Sequence, residues 1–539
     1  MNVYLYSFLF FWLLHILRRT FFWLYFWQLK EYRWDRFKDG IQENKKILFP
    51  KVSIFALTLL LFSPLLLKIL DGALFEIFTF VFYFTLGIYS LYLLLKRKWS
   101  LPKFTSKMLV LFILTFLLET TLIIVPNQSL ETRIFSLTIL ILEVFFPLFM
   151  TFCVEIVQIP TFFAKKWIIK KAGGKMKNFP KLTVIGITGS YGKTSTKEFL
   201  AQILSQKYKV LKTEGNNNTE MGVSRTVLQK LNKKHQIFVC EMAAYRKGEI
   251  KAICDIVHPK IGILTGVTTQ HISLFGSLKN IVQTKYELIN SLPKDGIAIF
   301  NATNKECQKL AQRTTVQKYL YSAYEGDFDV FARNINETKD FIEFELVTKK
   351  EKTEIRLNLL GKQNVENFLG AATCALKLGI SLKEIQKIAP KLQPSETSLR
   401  KKESKNGAII IDDSYSQNPE GVMAAMDYLK NFENEKKILL MPCLIELGKS
   451  APAIHKNIGR KIGETFDFAI ITTPYYFEEL TLGAQEAGMK PEKIIFLSET
   501  KKVLEKLGPY LQKGNVILIE GRINEKIKEK IVNKSCPNV

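Results

Sequence analysis

Residues 186–195 read GITGSYGKTS and follow the apolar run LTVI. A turn that joins two glycines to Gly-Lys-Thr is suited to a phosphate. Gly189 and Gly192 permit a tight turn and close backbone approach. Lys193 is placed to reach β- and γ-phosphates, and the Thr194 hydroxyl to bind Mg²⁺. The match to G-x-x-x-x-G-K-[ST] is incomplete, because Ile187 stands at the first glycine position. On these residues alone, a structural turn carrying an exposed lysine stays open. The flanks predict the rest of the device. LTVIGIT is β-branched and alternating, as a buried strand should be. KTSTKEFLAQILSQ has helical periodicity, so strand, turn and helix N-terminus would aim backbone N–H groups at an anion.

Further segments follow in order: TEGNNNTEMGVSRTVL (213–228), FVCEMAAYRKGEI (238–250), HPKIGILTGVTTQHISLFGS (258–277) and IVQTKYELI (281–289). Then come FN (300–301), GKQNVENFLGAA (361–372), IIDDSYSQNP (410–419) and IELGKSAPAIH (445–455). Together they resemble the Mur ligases over about residues 180–530, most of all the subgroup that adds D-alanyl-D-alanine to UDP-N-acetylmuramoyl-tripeptide. The resemblance implies ATP-dependent amide-bond formation in peptidoglycan precursor synthesis. A substrate carboxylate attacks the γ-phosphate, and an amine then displaces phosphate from the acyl phosphate. The implied partners are a muramoyl-peptide acceptor and an amino acid or dipeptide, with no nucleic acid.

The same resemblance implies roles for single residues. Gly189, Ser190, Tyr191, Gly192, Lys193, Thr194 and Ser195 form the ATP loop, and Asn301, Asn367, Arg400 and Asp413 line the nucleotide. Thr194, Glu241, His271 and Lys285 surround two Mg²⁺ ions, with Lys193, His271 and Lys285 as the catalytic set. Asn216, Asn218, Tyr415 and Asn418 face the substrate. Lys285 matches a lysine carried as a carbamate; CO₂ adds only to a neutral amine, so a lysine of ordinary pKa ~10.4 must be shifted down there. Taken singly, Glu241 reads equally as a loop charge, His271 as a structural histidine and Lys285 as a helix-surface lysine. Asn216 and Asn218 read equally as turn residues.

Several positions depart from the family pattern. The loop reads TGSYGKTS where TG-T-N-GKT-[ST] is usual, Gln363 stands in place of His, and Gly266 in place of Asn. SYSQNP replaces S-Y-N-A-N-P while keeping Tyr415, Asn418 and Pro419, MPCLIELG lacks a G-D-M approach, and LIEGRINEK replaces K-G-S-R. These changes leave the ATP chemistry in place and open the identity of the incoming amine.

The elements that must position these residues begin after a different kind of sequence. The 539-residue chain has a formal charge of +26 with 47 % hydrophobic residues, which argues against a simple basic nucleic-acid binder. Its seven cysteines are scattered without C-x-x-C spacing, which argues against a zinc site or disulfide framework and fits a reducing compartment. Apolar stretches at about 48–70, 73–95, 108–125 and 134–157 are long enough to span a bilayer. A fifth, 4–28, is interrupted by His15, Arg18 and Arg19, and either spans or lies in the interface. Basic links alternate with links poor in Lys and Arg, which places the remainder of the chain on the cytoplasmic side of the inner membrane. Glu76, Glu119 and Glu143 fall inside these spans, as a transport path, a headgroup pocket, or partners of a neighbouring helix.

The expected fold is therefore an α-helical transmembrane module of four or five spans (1–165), an α/β P-loop central domain (175–392) and a smaller α/β domain (395–539). The central domain should carry a β-rich insertion, and the last should start at the GAIIIDDSY strand. No small UDP-binding domain precedes the phosphate loop, so the acceptor is expected at the bilayer, with a lipid-linked form as one option. Rival readings are an ATP-driven transporter, which lacks an L-S-G-G-Q-like signature, a non-catalytic membrane scaffold, and a same-fold ligase for another acid–amine pair.

Overall fold

A computed structural model of the chain describes residues 2–43, 51–69, 72–127, 132–215, 217–269, 272–395, 398–415, 418–445 and 447–532. It divides into two compact units, Met1–Lys166 and Trp167–Val539.

In the first unit, helices occupy Asn2–Leu29, Trp34–Glu43, Lys51–Ile69, Gly72–Leu95 and Ser106–Asn127, with the start of a long helix, Thr132–Met176. A helix thus stands at each of the five apolar stretches. Among the described residues, two stretches, Ile77–Leu95 and Ser136–Met176, are long and apolar enough to cross a membrane. That is fewer than the four or five expected from sequence. The charges that interrupt Asn2–Leu29 have partners. The Arg19 guanidinium donates to both Glu119 and Glu143, and His15 Nε2 lies 3.1 Å from Glu143 Oε2. Arg19 also sits 3.8 Å above the Phe146 ring. Glu119 and Glu143 therefore pair with a neighbouring helix, one of the alternatives above; the side chain of Glu76 lies outside the described set.

The second unit holds two sheets. The first contains β1 (Thr183–Thr188), β2 (Val210–Lys212), β3 (Ile237–Glu241), β4 (Ile261–Leu264), β5 (Ile297–Asn301), β6 (Gln317–Ser322), β7 (Val330–Glu337), β8 (Ile342–Thr348) and β9 (Lys352–Leu357). Their order is β2-β3-β1-β4-β5-β6-β7-β8-β9. Pairing is parallel as far as β7 and antiparallel across β7–β8–β9. The β-rich segment therefore continues the main sheet.

Alternation along the parallel strands explains the layering. Ile185, Ile187, Val239 and Ile263 point into a core shared with Phe199, Leu200, Phe368 and Leu369 of helices Lys193–Leu204 and Gln363–Lys377. Val184, Phe238, Cys240 and Leu264 point the other way, onto Val223, Ile253, Ile281 and Leu288. The end of helix Thr132–Met176 adds Ala172 and Met176 to that second core.

The second sheet comprises β10 (Arg400–Glu403), β11 (Ile409–Asp413), β12 (Lys436–Met441), β13 (Phe468–Ile471), β14 (Ile494–Phe496) and β15 (Asn515–Glu520), in the order β10-β11-β15-β12-β13-β14. It begins one strand earlier than expected. RKKE has no apolar residue, yet it pairs antiparallel with β11 as the sheet's edge, where charged side chains are the usual protection.

Arg19 should be indispensable to the first unit. Arg19→Leu leaves two buried carboxylates facing each other, and a loss of about 3–5 kcal/mol is expected. This is checked by thermal unfolding of the detergent-purified chain; Glu143→Gln, which keeps an acceptor for Arg19, should lose less.

Candidate active site

Strand β1 lies between β3 and β4, so the chain leaves its carboxyl end where the strand order reverses, the usual place for a ligand crevice in such sheets. The turn after β1 is fixed by room as much as by conformation. Gly192 is left-handed at φ 76°, and a Cβ there would overlap Asn367 Oδ1. At Gly189 a Cβ would overlap Thr265 Oγ1. Ser190 N–H donates to Gly266 O at 2.7 Å, and Thr268 N–H donates to Ser190 Oγ at 3.0 Å. The turn is thus clasped to the segment that follows β4. Helix Lys193–Leu204 starts directly from it, with no side-chain cap at its N-terminus, so its first N–H groups are available to an anion.

Lys193 curls back: its Nζ donates to Gly189 O at 2.8 Å and Ser190 O at 3.2 Å. Burial pushes its pKa down and the nearby Glu241 charge opposes that shift. Glu241, at the end of β3 and 1 % exposed, accepts from the Thr194 hydroxyl at 3.1 Å and from Asn218 Nδ2 at 2.9 Å, both on Oε1. Its other oxygen faces Lys197 Nζ at 3.2 Å. Lys197 is fully buried and was not foreseen as a site residue. The available signal was its position one helical turn beyond Lys193, on the face toward β3.

Lys285, on helix Leu278–Asn290, is buried. Its amine is pushed down to about 7, first by burial and then by the Lys193 charge, against the pull of Glu249 and Glu287. Two lysines thus share one buried neighbourhood, and burial shifts both toward giving up a proton.

Asn301, at the end of β5, donates to Thr265 O at 2.8 Å and to Glu366 Oε2 at 2.7 Å. Glu366, whose pKa burial pushes up, is a second neighbour that sequence reading missed. Ser195 Oγ is 3.3 Å from Ser395 Oγ, and the Arg400 guanidinium reaches Ser395 O at 3.4 Å. Arg400 is thereby joined to the phosphate-loop helix through the segment that leads to the second sheet.

Other expected residues lie differently. Asp413 is buried at the end of β11 beside Glu520, its partner in register on β15. Burial raises both acids; the Asp413 charge raises Glu520 further, while a hydrogen bond from Glu520 partly offsets the rise at Asp413. Asn418 caps helix Pro419–Tyr428 by accepting from Gly421 N–H at 2.8 Å, while Tyr415 is exposed. Asn216 and His271 lie outside the described residues. Among the described residues, no group of three or more His, Cys, Asp or Glu side chains forms a metal cage. The six described cysteines are buried and free.

Residues 187–375 match the family model described as Mur ligase middle domain, and residues 399–523 the one described as Mur ligase, glutamate ligase domain. The UDP-N-acetylmuramoyl-tripeptide--D-alanyl-D-alanine ligase of Synechocystis sp. is 32 % identical over 281 residues, 52 % of this chain and 59 % of that protein. A MurF crystal structure from Acinetobacter baumannii superposes with a TM-score of 0.61 at 27 % identity, covering 68 % of this chain and 80 % of that one. The MurF ligase of Thermotoga maritima in complex with ADP gives 0.59 at 27 %, covering 68 % and 83 %. This chain spans 59 % and 63 % of the length of the first two curated relatives it matches.

The Lys285 shift carries a stability consequence. The unfolded chain holds the proton up to the ordinary value of 10.5, whereas the folded chain releases it near 7. The unfolded state binds more protons across that window, so this lysine's penalty on folding is full below about pH 7 and fades as pH rises. Lys285→Met should therefore raise the urea midpoint clearly at pH 6 and leave it near wild type at pH 10.

Proposed function

Because residues 187–375 and 399–523 of this chain belong to the Mur ligase family, we propose that the protein is an ATP-dependent amide ligase of peptidoglycan precursor synthesis. It joins D-alanyl-D-alanine, or a similar amine, to a muramoyl-peptide carboxylate. The observation that carries the reading is the convergence of Lys193, Thr194, Glu241 and Lys285 around the glycine turn after β1.

In this reading the acceptor carboxylate attacks the γ-phosphorus, ADP leaves, and an acyl phosphate forms. The amine nitrogen then attacks the acyl carbon, phosphate leaves, and the nitrogen loses a proton. Lys193 turns from its own loop carbonyls to the phosphoryl oxygens, where negative charge builds up, and the free N–H groups of helix Lys193–Leu204 hold the same charge from behind. The residues present fit Mg²⁺: the Thr194 hydroxyl and Glu241 carboxylate are hard oxygen donors already 3.1 Å apart. Mg²⁺ held there supplies positive charge to the phosphate oxygens. His271 and Lys285, the latter as a carbamate, would hold a second Mg²⁺. Burial lowers the Lys285 pKa to about 7, so a sizeable fraction of the amine is neutral near pH 7, the form that takes up CO₂, which supports a carbamate at this residue. Asn301 and Asn367 border the nucleotide, and Arg400 adds charge from the segment that precedes the second sheet. Asp413 joins them as that sheet closes over the nucleotide, bringing Tyr415 and Asn418 toward the substrate with Asn216 and Asn218.

The domains divide as 1–165, 175–392 and 395–539. The first is a multi-pass module of the inner membrane, which leaves the ligase domains in the cytoplasm and the acceptor presented at the bilayer, with a lipid-linked muramoyl peptide as one form. Its outward apolar side chains, such as Leu61, Leu148 and Phe152, support contact with lipid. The departures from G-D-M and K-G-S-R leave the identity of the incoming amine open.

ATP hydrolysis by the purified chain, measured against a panel of amino acids and dipeptides with UDP-linked and lipid-linked acceptors, tests the whole reading. Phosphate release dependent on both acceptor and amine is expected; release indifferent to both would remove it. Lys285→Ala should abolish ligation, with activity returning on addition of short carboxylates.

A further inference from the structure

Two departures from the family pattern meet in space. Tyr191 stands inside the phosphate loop and Gly266 just beyond β4, and a Cβ on Gly266 would overlap the Tyr191 ring at Cζ, Cε1 and Oη. Gly266 is not among the glycines with left-handed backbone, so what it supplies is room. Its backbone cannot easily retreat, because its carbonyl accepts from Ser190 N–H at 2.7 Å. The ring is held as well. The Tyr191 carbonyl accepts from the Thr265 hydroxyl, and its phenol lies near Asn304. Asn304 is itself fixed, donating to Val267 O at 3.1 Å and accepting from Cys307 N–H at 3.1 Å. The ring therefore bridges the loop, the end of β4 and the cap of helix Lys305–Gln312.

We propose that Tyr191 is a positioning residue of the nucleotide site and that Gly266 is its obligate counterpart: the ring fills the space a side chain at 266 would take, and so holds the loop in its phosphate-ready shape before nucleotide arrives. This rests on the ATP reading above and deepens it. A loop ordered in advance avoids the ordering cost at binding. Tyr191 thus acts on nucleotide affinity more than on the chemical step.

The test is a double-mutant cycle on the full chain in detergent, read by calorimetric binding of a non-hydrolysable ATP analogue with Mg²⁺, by ATP kinetics and by thermal unfolding. Gly266→Asn should weaken binding about tenfold and Tyr191→Asn about threefold, while the double variant returns to within about threefold of wild type. In Tyr191→Asn the KM for ATP should rise with kcat held within about twofold. Tyr191→Phe, which keeps the ring and loses only the phenol oxygen, should fall between. Gly266→Ala replaces Gly266→Asn in the cycle if the larger side chain prevents folding. Penalties that simply multiply in the double variant, in both binding and Tm, overturn the pairing. A wild-type chain that binds no analogue overturns the positioning role together with the nucleotide reading, and the Tm cycle alone then decides whether the two residues are matched.

Discussion

The close approach of three backbone segments at the end of β1 governs this molecule. With Thr265 packed against Gly189 and Asn367 against Gly192, neither position has room for a side chain. This crowding requires the sheet order observed: β1 must lie beside β4 to meet Thr265, and helix Gln363–Lys377 must run along helix Lys193–Leu204 to bring Asn367 over the turn. The cores on the two sheet faces, built by alternate residues of the same strands, keep those distances short.

The electrostatics follow from the same crowding. Lys193, Lys197 and Lys285 share a region in which Glu241 is the acid that meets the phosphate-loop helix directly. Each lysine meets its burial differently. Lys197 faces Glu241 and Glu198, Lys193 donates to loop carbonyls, and Lys285, repelled by Lys193, tends toward neutrality. A phosphate entering the turn would add negative charge beside Lys193, whose amine is held by loop carbonyls rather than by an acid.

Much of this was legible in the chain itself. LTVI-GITGSYGKTS, with its β-branched run, paired glycines and periodic helix, announced strand, turn and helix because each residue type acts locally. Glu241 was readable as an acid ending an apolar strand. Lys197 and Glu366 were not, since what marks them is burial against residues distant in sequence. β10 escaped because an edge strand of charged residues has no hydrophobic period, and its partner β11 supplies the order. The charges in Asn2–Leu29 read as flaws in an apolar segment until Glu119 and Glu143, a hundred or more positions away, came opposite them.

The hydroxyls of Ser195, Ser395 and Ser398 lie within 2.8–3.5 Å of one another, with the Arg400 guanidinium on Ser395 O. The strap that leads to the second sheet is therefore buttoned to the first turn of the loop helix. A free-energy link of this kind runs both ways. An anion that steadies the first turn also steadies the strap, and any swing of the second sheet that unfastens those hydroxyls alters, by an equal factor, how firmly the anion is held.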